Sequence, residues 1–125
     1  MSADNVAWNL EPLVDGEGAD GAKRLLDEAD RLADQLAEAA RGRIADCTEE
    51  QFADWVASSA QIGELVNRAH AFAALRFSTD TADPENGALM ALMQERATAI
   101  GTKLLFLELE WAALDDARAE ALAAA

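Results

Sequence analysis

The chain has 125 residues, with Lys+Arg 10 against Asp+Glu 24, a formal net charge of −14. Such a surface repels phosphate backbones and anionic headgroups, which argues against nucleic-acid and membrane partners. Hydrophobic residues make up 51%, too many for a disordered acidic tail and enough to build the core of one domain.

Residues 1–19 read as an extended arm. Trp8, Leu10 and Leu13 surround Pro12 without a helical period, and Pro12 disfavours helix at Glu11. Asp15-Gly16-Glu17-Gly18 reads as a flexible turn. Trp8 is costly to leave in water, so it is expected to dock, either on another folded surface or on its own domain. The first five residues have neither the basic nor the apolar region of a signal peptide. Cys47 is the single cysteine, which fits a reducing compartment. The chain is expected to be soluble and cytoplasmic.

The first helix is expected over residues 20–41, with Leu25, Ala29, Leu32, Leu36 and Ala40 on one stripe. Asp27 stands four residues before Arg31, a supportive ion-pair orientation. Gly42 is placed for a left-handed cap, flanked by Arg41 and Arg43, which suit the carboxyl end of a helix.

Thr48-Glu49-Glu50-Gln51 matches a capping box and opens the second helix, expected to end near Phe77. Phe52, Trp55, Val56, Ile62, Leu65, Val66, Ala69, Phe72 and Ala73 form its apolar face. Ser58, Ser59 and Gly63 thin that face, allowing a close helix approach or a bend. Asp83 as cap, Pro84 at the first helical position and Glu85 in the first turn open the third helix, expected over residues 84–112. Its stripe is Leu89, Met93, Ala97, Ile100, Leu104, Leu107 and Trp111, with Ile100 and Leu104 expected at the core. A fourth, short helix starts after a cap at Asp115 and runs into Ala123-Ala124-Ala125, which reads as a cut rather than a stop. The fold class is all-α: three long antiparallel helices plus a short C-terminal helix, bundle-like.

Little chemistry is on offer, and no catalytic, metal or cofactor-binding residue is assigned. His70 is the only histidine, so a His-x-x-x-His pair is impossible, and the Glu-x-x-His pair of di-iron bundles meets Asn67 instead of an acid. His70, between Ala69 and Ala71, reads as a half-buried, satisfied side chain. Cys47, in a turn with Asp46, Glu49 and Glu50, reads as a free thiol at a helix start, not a nucleophile. Glu108 and Glu110 are two apart on a helix and point to different sides, so they share no site.

Residues 104–111 are apolar around most of the helix circumference. Phe72, Phe77, Phe106, Leu109 and Trp111, with the Trp8 arm, exceed what the helices can bury among themselves. The surplus points to a second surface: another subunit or the rest of a longer chain.

Four segments carry a family resemblance. Trp8-Asn9-Leu10-Glu11-Pro12-Leu13 resembles the Trp-Asp-Leu-x-x-Leu opening of the oligoendopeptidase F family, zinc metallopeptidases of the thimet-oligopeptidase clan, with Asn9 in place of the usual acid. Arg41-Gly42-Arg43-Ile44 resembles the glycine-marked end of the family's first long helix. Residues 75–84, Leu75-Arg76-Phe77-Ser78-Thr79-Asp80-Thr81-Ala82-Asp83-Pro84, resemble its helix–turn–helix junction. Leu104-Leu105-Phe106-Leu107-Glu108-Leu109-Glu110 resembles the apolar helix that follows.

The resemblance implies an arm over 1–19 and, over 20–125, the helical N-terminal domain of a longer peptidase that hydrolyses short peptides. That domain packs on the catalytic body and helps wall the substrate cleft. Zinc belongs to the parent, held by a His-Glu-x-x-His helix and a later glutamate, none of which lies in this segment. The isolated segment is therefore expected to be inactive. Its partners are the catalytic domain of its own chain, peptide substrates through the parent, and a second copy in a homodimer. The alternative is a free-standing acidic helical module for protein interaction or dimerisation.

Overall fold

A computed structural model describes residues 18–124. The rest of the expected arm, including Trp8 and Pro12, lies outside the described residues, as does Ala125. Among the described residues the elements are α1 (Gly18–Ala40), α2 (Glu49–Thr79), α3 (Pro84–Ala112) and α4 (Asp116–Ala123), with no strand. The fold is an all-α, bundle-like packing of three long helices and a short one. Helix α1 begins at Gly18, two residues before the expected start, so residues 18 and 19 are helical and not part of an arm.

Successive long helices are antiparallel, so α1 and α3 run in the same direction. Their bridges climb together: Arg96 pairs with Asp27 at 2.7 Å, and Lys103 with Asp30 at 2.6 Å and Asp34 at 2.9 Å. Arg31 turns to Glu28 at 2.5 Å instead of to Asp27. The expected Asp27–Arg31 pair is not the one formed, because Asp27 faces Arg96 across the α1–α3 seam and leaves Arg31 to its nearer neighbour.

The helix ends follow local chemistry. Gly42 has φ 77, the left-handed geometry that costs a glycine least. Thr48 Oγ1 accepts from the Gln51 N–H and Gln51 Oε1 accepts from the Thr48 N–H, both at 3.0 Å, closing the capping box. Asp83 Oδ1 accepts from the Glu85 N–H at 2.9 Å, with Pro84 in the first helical position. The α2–α3 turn is fastened by buried Asn86, whose Nδ2 donates to the carbonyls of Asp80 at 3.0 Å and Arg76 at 3.3 Å. Buried amide groups cost stability when unpaired, so these two bonds fix the angle of the turn.

The core joins α1, α2 and α3 through Leu26, Ile62, Phe72, Met93 and Ile100, all buried, with Ile44 plugging it below the α1–α2 loop. Leu104, expected beside Ile100, is only half-buried against this core. Leu32 is likewise half-buried, and Ala33 takes the buried place beside it. The expected outward surplus is also corrected: Phe72 and Phe106 are buried, and Phe77 and Trp111 are half-buried. Phe72 sits inside the three-helix seam, while Phe106 lies under the Arg41 guanidinium, 5.4 Å from its ring centre. What remains exposed is Leu109 at 63%, Val56 at 51%, Leu105 at 46% and Leu75 at 45%.

Helix α4 closes one end. Leu122 is fully buried, and Arg118 reaches the α1–α2 loop, its Nε donating to the Ala45 carbonyl at 3.2 Å and its Nη2 to the Cys47 carbonyl. Among the described residues no helix is long and apolar enough to cross a membrane.

Candidate functional site

The reactive side chains are dispersed. Cys47 is buried, and its thiol donates to the Ile44 carbonyl at 3.1 Å. His70 is half-buried on α2, about 30 Å further along at 1.5 Å per residue, so the two cannot cooperate. Among the described residues no three His, Cys, Asp or Glu side chains are grouped so as to hold a metal ion.

Glu108 and Glu110 part company as their spacing requires. Glu110 turns toward α1, where Oε2 accepts from the Gly42 N–H at 2.8 Å and Oε1 from the Ile44 N–H at 3.3 Å. In the turn after α1 neither of these N–H groups donates to a backbone carbonyl of the described residues, so Glu110 is a structural clasp. No signal in the sequence marks it, because its partners are 66 and 68 residues away. Glu108 turns the other way, to the seam between α2 and α3.

That seam is the candidate site. Next to the Ile44 plug, a groove of about 400 Å³ is lined by Phe52, Trp55, Val56, Leu107 and Trp111, with Ser59 and Glu108 as its polar groups. Phe52 and Trp111 stack with ring centres 5.1 Å apart and planes 15° apart, forming a rigid aromatic wall. The seam continues toward α4 past Ala60 and Leu122. In the other direction it runs between Gly63 and Asn67 on α2 and Ala97, Gly101 and Leu105 on α3. The α2 lining is a stripe of Phe52, Val56, Ser59, Gly63 and Val66 at helical spacing.

Small residues keep the seam open. A Cβ placed on Gly63 or Gly101 meets nothing within 4 Å. Ser59 and Gly63 thin α2 as the sequence suggests, yet no other part of the described chain uses the space. The chemistry available here is burial of apolar surface with one carboxylate at the edge, which suits docking and not bond making.

The resolved shifts in acidity lie elsewhere, on the α1 and α1–α3 surfaces. Hydrogen bonds to Asp30 and then Asp34 hold the Lys103 pKa above its ordinary value. The Arg31 hydrogen bond holds the Glu28 carboxyl below its ordinary range. Both are surface ion pairs, not a reactive centre. Comparison with protein-family models, with curated proteins and with solved structures returns no match to this chain.

Proposed function

We propose that the chain is a non-catalytic helical docking domain whose α2–α3 groove is covered by a second protein surface. The observation that carries this reading is the open apolar groove walled by Phe52, Trp55 and Trp111 and edged by exposed Val56 and Leu105. An apolar strip of this kind, continuous along two helices, marks an interaction surface.

The surface we assign to it is the catalytic body of a zinc-dependent oligoendopeptidase, which hydrolyses short peptides in a cleft that this domain helps to wall. Support comes from the ordered resemblance and from where its segments fall. Residues 41–44 form the turn after α1, residues 75–84 the α2–α3 junction, and residues 104–110 a stretch of α3 beside the groove. Zinc and its ligands belong to the body in this reading, since the segment offers one histidine where a catalytic zinc takes three protein ligands.

The test is the reading frame downstream of Ala125, followed by binding. A frame that reaches a His-Glu-x-x-His motif, and a body that binds this domain when the two are made separately, are the expected results. A frame without that motif removes the peptidase and leaves the free-standing interaction module. Chelator-sensitive turnover of a fluorogenic peptide by this chain with added zinc overturns the non-catalytic reading itself.

A further inference from the structure

The groove has a charge as well as a shape. Its lining contains Glu108 and no Lys or Arg. Exposed Glu64 is not part of the lining but lies one helical turn from both Ala60 and Asn67, which are, so it stands just outside the α2 edge of the groove. The two carboxylates therefore flank one apolar strip from its two helices. The chain as a whole carries −14, so its field draws in cations and repels another copy of itself.

The shape selects among cationic ligands. The α2 lining runs from Phe52 to Asn67, about 22 Å at 1.5 Å per residue, the length of a helix of about four turns. Gly63 and Gly101 face open space although glycine in a helix interior costs about 1 kcal/mol relative to alanine. Nothing in the described chain needs that room, whereas a helix lying in the groove does. A small organic cation would fill only the pocket at Phe52 and Trp111. An extended peptide of about seven residues, though it spans about 22 Å, is narrower than a helix and leaves the room over the two glycines unused.

We propose that the protein surface covering the α2–α3 groove presents a cationic amphipathic helix to it. The apolar stripe of that helix lies along Phe52, Val56, Leu104 and Trp111. Its backbone passes over Gly63 and Gly101, and its Lys or Arg side chains reach Glu64 and Glu108. This rests on the docking reading above and is independent of the peptidase assignment.

Calorimetric titration of the whole 125-residue chain tests it with three synthetic helical peptides. One carries a leucine stripe flanked by Lys, the second has the same stripe flanked by Glu, and the third has the Lys peptide's composition with its leucines scrambled. The Lys-flanked stripe is expected to bind one to one, with the other two at least about tenfold weaker. Glu64→Gln with Glu108→Gln should weaken it about fivefold, and Gly101→Leu should abolish it while circular dichroism stays helical. Gly63→Leu fills the groove from the other helix and replaces Gly101→Leu if that variant does not fold.

Equal binding of the Lys and Glu stripes overturns the cationic partner and leaves docking standing. Equal binding of the scrambled peptide, or full binding by Gly101→Leu, moves the site out of the groove. A chain lacking residues 1–17 that binds far more tightly makes the arm the occupant. A dimer that the peptide cannot dissociate makes a second copy the occupant, and both results overturn the proposal. Binding of none of the peptides overturns this proposal, while the docking reading stands or falls on the separate test of binding to the catalytic body.

Discussion

Glu110 Oε2 accepts from the Gly42 N–H at 2.8 Å, joining the carboxyl end of α3 to the turn that ends α1. The same carboxylate takes the Ile44 N–H at 3.3 Å. Ile44 is the fully buried plug below that turn, so one side chain positions both the loop and a core residue. Glu110→Ala is expected to cost about 0.5–1.5 kcal/mol, the net range for an intramolecular hydrogen bond, because water can reach the exposed Gly42 N–H once the carboxylate is gone. Glu108→Ala, two positions away, should stay within about 0.5 kcal/mol. Urea denaturation of the two variants checks the contrast, and equal effects would mean the clasp contributes nothing.

Glycines of the same chain should respond with opposite signs. Gly42 at φ 77 requires the left-handed geometry, so Gly42→Ala should destabilise by about 1 kcal/mol. Gly63 and Gly101 lie inside helices with no atom near a new Cβ, so alanine at either should stabilise by about 0.5–1 kcal/mol. Thermal melts decide. Loss of stability at Gly63 would show that a neighbour comes closer than the open groove allows.

The core offers a graded pair on one helix face. Ile100 is 3% exposed, whereas Leu104, one turn further on, is half-buried beside the groove. Ile100→Ala is expected to cost about 2–5 kcal/mol, and Leu104→Ala less, because Leu104 already meets solvent and leaves no closed cavity. Equal losses in denaturant titrations would place Leu104 in the core after all.

This difference marks where sequence reasoning stops. Capping residues act within one turn, so the starts at Thr48, Asp83 and Asp115 were all legible. Helical spacing gives one apolar face, and it located Leu25, Leu36, Met93 and Ile100, while Phe72 lies on that face but was also counted in the outward surplus that its burial corrects. It cannot rank residues on the edge of that face, because Leu104 and Phe106 are graded by how neighbouring helices pack across them. The groove was half legible. The small residues of α2 signalled thinning, but the facing Gly101 and the Phe52–Trp111 stack depend on which helices pair. Glu110 was illegible because its partners are 66 and 68 residues away, and Asn86, whose partners are only 6 and 10 residues back, because the path of the α2–α3 turn decides which carbonyls its amide meets.

The ion-pair seam gives a pH prediction. Lys103 has its pKa raised by hydrogen bonds to Asp30 and Asp34. Its proton is held more tightly in the folded chain than in the unfolded one, so folding gains from the charged form. That contribution is fully present below the unfolded lysine value of about 10.4 and fades as pH rises through the folded value. Lys103→Met should flatten the alkaline limb of a stability–pH curve. Glu28, held low by Arg31, acts in the opposite direction: its contribution is present above about 4.3 and is lost as pH falls through its lower folded value. Both pairs are exposed and screened, so the effects should be small and should shrink in salt. An alkaline limb unchanged in Lys103→Met would remove the pair from any role in stability.

Self-association should depend on salt in the direction set by charge. Val56 and Leu105 line the groove, and Leu109 is exposed on α3 one turn beyond Leu105. A second copy could cover this strip in a two-fold pair, the commonest closed arrangement. Each copy also brings −14, and Glu64 and Glu108 of one groove would meet their equivalents in the other. At low ionic strength the repulsion extends across the contact, since the Debye length is about 30 Å at 0.01 M, but it falls to about 3 Å at 1 M. The chain should therefore sediment as a monomer in low salt and pair weakly in high salt. Leu105→Glu should abolish the pairing and Glu108→Gln should strengthen it. Dimers that dissociate as salt is added would show that the contact is made by opposite charges, and the apolar groove would not be where copies meet.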